Sequence, residues 1–407
     1  MSTVKFKRFS KPRVLKGIGR HFLGQFFDKF KDALAGKAVV LPDQTLDDEK
    51  YFDALAGLLR LPEGLPDSLN DALYAIDEMA TEDGQQRLEE GVAEKNLKLA
   101  FDPKSSREDI ALQVWLVDPD LLALKHNEQR LIRLSTFEYY SNPNPVDRSA
   151  LFQKPDDATI RDLTCALDLW FSEHNRGHKN TKIDVHPIDG EFWFVISHGD
   201  TYTRTAKVED QKSEVIHYRP EKDDVVVYAP DLDEIRIHAA TKGEKQLYRD
   251  KFGLYLFGQE DFFSESKTYS LEPLRLGIDA LSREGIPEIK EIILREVEMG
   301  WPSGFNDGLV RKSDDIFASA AACAKPFNPI NATANLKRAV FDVYFADSEK
   351  PRRLHIRPPN TLKLGRHCDA RLVHRWLSKQ KFRALAEVAS DPEMKEAAVH
   401  VETLANT

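Results

Sequence analysis

The chain is poor in cysteine and has no long apolar run, and both shortages narrow what it can be. Its three cysteines, Cys165, Cys323 and Cys368, lie far apart without CxxC spacing. That excludes a disulfide framework and a cysteine-rich zinc module, and suits a reducing compartment. No uninterrupted apolar stretch approaches the roughly 18 residues needed to cross a bilayer. The basic start from Met1 to Lys16 also lacks the apolar core of a secretory signal. A soluble, cytoplasmic protein that avoids the membrane is expected. Missing too are a Walker loop, a Gly-x-Gly-x-x-Gly turn, an HExxH pair and a Gly-x-Ser-x-Gly elbow, so several large enzyme classes lose support. There is no internal repeat and no low-complexity tract.

What is present is ample core material: 407 residues, 41% of them apolar and 10% aromatic, enough for two or three packed domains. The net charge of −9 is unevenly spread. Met1 to Lys37 holds ten Lys and Arg against two Asp, and Lys337 to Arg383 holds thirteen against four acids. These segments carry +8 and +9, which leaves −26 for the remainder. Local clusters set an electrostatic field more than their sum does, so each basic end is a candidate contact for nucleic acid or an acidic partner.

The pattern predicts an α+β multidomain protein. Residues 1–145 read as a helical amino-terminal domain. The stripe Ile18, Phe22, Leu23, Phe26, Phe27, Phe30 and Leu34 has helical spacing; Asp28 and Asp32 within it favour packing on its own domain over a membrane surface. Ser68 opens another helix, and a further one spans Ser106 to Leu116. Asp118 and Pro119 read as an N-cap and a first-turn proline, starting a helix that runs past Leu131 towards Tyr140. Asn142 to Pro145 then break it and mark a linker.

Residues 146–265 read as a β-rich central domain. A helix from Ala158 to Phe171 precedes the strand-length runs Phe192 to Ile196 and Val225 to Tyr228 and the alternation Ile235, Ile237, Ala239. The aromatic stretch Lys242 to Phe263 should form helices that close this sheet, its rings packed in the core. Within it, Phe252-Gly253 to Phe257-Gly258 looks distinctive enough to be a signature, with no activity attached. Residues 266–383 read as a basic α+β carboxy-terminal domain. Arg338 to Ala346 and Arg352 to Arg357 form a hairpin there, and Asp369 caps a helix through Phe382. Residues 384–407 form a tail.

Four histidines, His174, His178, His186 and His198, invite a metal or catalytic reading. The Asp189-Gly190 turn argues against it, because it sets Ile188 opposite Glu191, His186 opposite Trp193 and Ile183 opposite Ile196. Alternation then sends His186 and His198 to opposite faces. His174 and His178 flank Gly177, where a helix is ending. No metal and no cofactor are expected. If the chain is an enzyme, the sequence favours a metal-independent hydrolase or nuclease centred on His198, Asp200 and Arg204 at a strand end.

The carboxy-terminal cluster carries the leading expectation. Arg353, His355 and Arg357 share one strand face while Leu354 and Ile356 share the other. Lys363 and Arg366 follow in a loop with His367. Arg371, Arg375 and Lys379, together with His374, lie off the apolar stripe of the last helix. A strand and a helix both presenting Arg predict a surface for non-specific phosphate contacts to nucleic acid, or for a protein partner. The expected protein is a non-enzymatic binding or regulatory component.

Overall fold

The computed structural model describes residues 8–384, except 100, 103, 133, 189, 210, 265, 266, 303, 304, 306, 347, 349 and 366–369. The chain is α+β and divides into two compact units, Met1–Leu131 and Ile132–Thr407. The expected weak helix beyond Ala384 lies outside the described residues.

The first unit is helical. Its helices are α1 (Pro12–Leu15), α2 (Arg20–Asp28), α3 (Lys31–Gly36), α4 (Asp48–Leu58), α5 (Asp67–Met79), α6 (Glu82–Glu94), α7 (Arg107–Val117) and α8 (Pro119–Ile132). Short polar side chains fix their starts. Asp47, Thr81 and Ser106 accept first-turn amides of α4, α6 and α7, and Asp118 accepts the Leu121 amide of α8 at 2.8 Å. Leu23, Phe26 and Phe27 join Leu55, Leu69, Leu73, Ile76 and Leu112 in one core. Trp115 lies against Phe26 at 4.8 Å and Phe30 at 5.5 Å. The aromatic stripe is therefore consumed inside the unit and is not available for a membrane surface.

The second unit is built on a ten-stranded antiparallel sheet. Its strands are β1 (Thr136–Ser141), β2 (Lys182–Ile188), β3 (Glu191–Gly199), β6 (Glu221–Ala229), β7 (Glu234–His238), β8 (Ile289–Gly300), β9 (Gly308–Lys312), β10 (Asn335–Phe345), β11 (Arg352–Arg357) and β12 (Thr361–Lys363). The spatial order is β2-β3-β6-β7-β1-β12-β11-β10-β8-β9. A separate hairpin of β4 (Thr203–Glu209) and β5 (Lys212–Tyr218) stands outside it. The helices are α9 (Asp157–Glu173), α10 (Lys242–Phe257), the short α11 (Ile316–Ala321) and α12 (Ala370–Lys379).

Two expectations change here. The helix from Pro119 stops at Ile132, and Thr136–Ser141 is a strand, β1, at the middle of the sheet. The sequence Thr-Phe-Glu-Tyr-Tyr is β-branched and aromatic, and it pairs on both edges, with β7 and β12. Second, the division falls before β1, and the Asn142 to Pro145 segment is held inside the second unit. Buried Asp233 accepts hydrogen bonds from the Asn142 side chain at 2.8 Å and from Arg148 at 3.1 Å. Apart from β4 and β5, the strands of residues 146–265 and those of residues 266–383 share the one sheet, joined where β1 meets β12.

The two halves of the sheet are covered differently. On one side, Tyr140, Phe194, Ile196, Val226, Tyr228, Ile235 and Ile237 pack against Leu163, Leu167 and Phe171 of α9 and Leu247, Tyr248 and Phe252 of α10. Following the ladder through Thr136 opposite Lys363 and Lys363 opposite His355 keeps to that same side, where β11 presents Arg353, His355 and Arg357. On the other side, Leu354 stands opposite Phe341, whose ring meets Trp376 of α12 at 5.8 Å and Phe382 at 5.6 Å. The aromatic stretch of α10 fills the core as expected. Gly258 caps that helix in the left-handed region with φ 75°, which accounts for the second Phe-Gly as a helix ending; Gly253 lies within the helix.

Candidate functional site

The central hairpin has the expected register: Ile188 faces Glu191, His186 faces Trp193 and Ile183 faces Ile196. His186 and His198 therefore sit on opposite faces. Gly190 holds the turn with φ 80°. The α9 helix ends at Glu173, and His174 stacks on Trp170 at 3.7 Å with its Nδ1 2.8 Å from the Trp170 carbonyl. His178 is exposed beside Asp168 at 3.8 Å.

His198 instead meets residues that arrive much later in the chain. Its Nε2 lies 3.1 Å from Asp224 Oδ2 on β6, its Nδ1 3.0 Å from the Gly199 carbonyl, and its ring stacks on Phe171 at 4.0 Å. Tyr248 donates to Asp224 Oδ2 at 2.8 Å. The Lys222 ammonium reaches Glu244 Oε1 at 2.9 Å and Asp224 Oδ1 at 3.2 Å. Glu244 is the third residue of a capping box, accepting the Thr241 amide at 2.9 Å. Arg176 links this cluster to Asp200 and lies 3.6 Å from Glu244. Burial by itself pushes the Asp224 carboxyl up. The hydrogen bonds from His198 and Tyr248 and the nearby Lys222 ammonium outweigh it and hold the carboxyl below its ordinary range. Burial and the Asp224 charge push the Tyr248 phenol far up, so it stays a donor.

His198, Asp224 and Glu244 bring donor atoms within 4.8 Å of one another, close enough to suggest a metal ion. The Lys222 ammonium already stands among those oxygens, and the Tyr248 hydroxyl and the Thr241 amide donate to them as well. The cluster is thus a closed ion network whose cation is Lys222. Sequence spacing missed it because the partners come from β3, β6 and α10; the Thr241-x-x-Glu244 box was its one local sign.

The expected catalytic set is not assembled. The His198 side chain has 0% of its surface exposed and both ring nitrogens engaged. Asp200 turns to Arg176 and Thr201. Arg204 is exposed on β4, opposite His217 of β5. Among the described residues no hydrogen bond joins His198 to Asp200 or Arg204, and no His198 nitrogen is left for a substrate.

The basic residues fall into two sets separated by the sheet. Arg353, His355 and Arg357 on β11 and Lys363 on β12 share the exposed side. Arg371, Arg375 and Lys379 ride on α12, which packs against the Leu354 and Ile356 side. There Arg375 donates to the Gly285 carbonyl at 2.7 Å and Lys379 to the Glu284 carbonyl at 2.5 Å. The expected joint surface of strand and helix is therefore not formed, because residues of opposite parity on one strand lie across the sheet thickness. Arg366 lies outside the described residues.

The strand set forms a charged face. Arg353 grips Asp342 at 3.0 Å, Arg295 reaches the same carboxylate at 2.9 Å, and Arg338 pairs with Glu296 and with Glu298 at 3.2 Å. Lys312 adds a contact to Glu296 at 2.9 Å. Arg295 also reaches exposed Asp314 at 3.4 Å, so four carboxylates serve these four cations. Arg357 and Lys363 are exposed, and no carboxylate among the described residues pairs with either. Comparison with protein-family models and with curated protein sequences found no match.

Proposed function

We propose that this chain is a non-enzymatic binding protein that contacts nucleic acid through phosphates on the open side of β10, β11 and β12. The observation that carries this reading is the pair Arg357 and Lys363, exposed and without a carboxylate partner among the described residues, beside a face on which Arg353, Arg338 and Lys312 already occupy Asp342, Glu296 and Glu298. Guanidinium and ammonium groups carried side by side on paired strands match phosphate oxygens, and such contacts ignore base sequence. The closed, buried state of His198 supports binding over catalysis. A cytoplasmic location follows the same reading, since free cysteines such as exposed Cys165 and Cys323 suit a reducing compartment.

A protein partner is a second reading, and the β4 and β5 hairpin favours it. The hairpin leaves Val208, Val215, Ile216 and Tyr202 exposed, and a two-stranded hairpin by itself is marginal in water.

Reversing charge with Arg357→Glu and Lys363→Glu tests the first reading in a salt series with a fluorescent DNA duplex. Each lost phosphate contact should flatten the slope of log affinity against log salt by about 0.9. Arg371→Glu on the opposite side should leave the slope unchanged. Equal slopes for the parent and the double variant would reject the face.

A further inference from the structure

The open face places an imidazole among its cations. His355 is half-buried at the centre of β11, with Arg353 and Arg357 two residues away on either side. Lys363 of β12 and Val340 of β10 stand directly opposite it. Its diagonal neighbours on β10 are Arg338 and Asp342, and Glu296 of β8 stands opposite Val340 one strand further on.

The acids near the ring are already engaged, Asp342 by Arg353 and Arg295, and Glu296 by Arg338 and Lys312. Burial, then Lys363, Arg338 and Arg353, push the imidazole below its ordinary value, with Glu296 opposing weakly. The ring is accordingly neutral at pH 7, inside a cluster of cations. A phosphate group brought onto Arg357 and Lys363 reverses the local field. Negative charge beside the ring favours the imidazolium, which then supplies a further charge-assisted donor.

We infer that His355 makes polyanion binding by this face proton-linked: a phosphate docking on Arg357 and Lys363 draws a proton onto the imidazole, so the face holds polyanions more tightly in weakly acid solution. This inference rests on the nucleic-acid reading of the same face. The sign is fixed by linkage. The ring binds its proton more tightly in the complex than in the free protein. The added affinity is therefore complete below the free-state pKa and is lost as pH rises through the bound-state one.

The experiment measures binding of a fluorescein-labelled 20-base-pair DNA duplex at fixed ionic strength for the parent and His355→Gln. A one-unit difference between free and bound ring predicts parent binding that is tighter at about pH 5.5 than at about pH 8, by up to about tenfold, the limit being reached below the free-state pKa. The variant should bind like the parent at the higher pH and change less than about twofold between the two. Titration calorimetry of the parent at about pH 6.5, in two buffers of different ionisation enthalpy, should show net proton uptake on binding. Parent binding without uptake, or a variant that keeps the pH dependence, overturns the inference and leaves the nucleic-acid reading standing. A parent that fails to bind the duplex at low salt at either pH overturns both.

Discussion

Replacing Lys222 by methionine removes the one ammonium that stands between two sealed carboxylates while keeping most of its apolar stem. Asp224 and Glu244 have side chains 1% and 0% exposed, and Lys222 lies 3.2 Å from one and 2.9 Å from the other. Removing one partner of a buried ion pair typically costs about 3 to 5 kcal/mol, because an uncompensated charge is left behind. Two features set the loss at the low end. Lys222 is itself 19% exposed, and Arg176 still lies 3.6 Å from Glu244. The expected loss is about 3 kcal/mol, or a fall in melting midpoint of roughly 6 to 12 °C for a unit of this order of size. Urea unfolding followed by tryptophan fluorescence measures it. The control is Lys182→Met: that pair is tighter, at 2.6 Å to Asp184, but 71% and 42% exposed. Such a surface pair is worth about 0 to 1 kcal/mol. A Lys222→Met loss below about 1 kcal/mol, or one no larger than the control, would refute the closed-network account. The same account predicts no stoichiometric zinc in the purified protein, because the ammonium holds the position an ion would take; elemental analysis finding about one zinc per chain would contradict it.

Two further outcomes follow. Gly199→Ala should destabilise by about 1 to 3 kcal/mol, since a Cβ there would lie 2.3 Å from the Arg176 carbonyl and 2.3 Å from Arg219 Cδ; a denaturation midpoint like the parent's would show that the 174–181 loop gives way. The Asp224 carboxyl is held below its ordinary range, so its contribution to stability is present above about pH 4 and is lost as pH falls towards the folded value. The stability gap between the parent and Asp224→Asn should therefore narrow between neutral pH and about pH 3, and a gap that widens on acidification would reverse the assignment.

How much of this was legible in the sequence depends on the range of the interaction. The central hairpin is legible to the residue because one turn dipeptide fixes its register, and so are the starts of α7 and α8, because Ser106 and Asp118 cap them from adjacent positions. The Arg338 to Arg357 hairpin and the inward turn of Leu354 and Ile356 were read from alternation alone. What escaped was non-local. Helical spacing through Leu131 continued on paper into Thr136–Ser141, and only pairing with β7 and β12 turns that segment into a strand. The Asn-Pro-Asn-Pro segment reads as a linker by composition, yet Asp233, nearly 90 residues on, pins it.

The basic cluster shows where local reading stops for function. Alternation correctly sends Arg353, His355 and Arg357 away from Leu354 and Ile356, and the helical stripe correctly sends Val373, Trp376 and Leu377 inward. Both statements concern one element at a time. When α12 buries its stripe against the Leu354 and Ile356 side, the strand cations are carried to the far side of the sheet, and Arg375 and Lys379 are left to bind carbonyls near Gly285. The same fact decides which lysine belongs with the strand: Lys363 joins His355 through the β11 and β12 ladder, though it is eight residues away in sequence and Arg371 is another eight. Charge density along a chain thus names the residues of a candidate face only after the layer over each element is known, and here, of the candidates spread from Arg353 to Lys379, that layer leaves Arg357, Lys363 and the His355 ring.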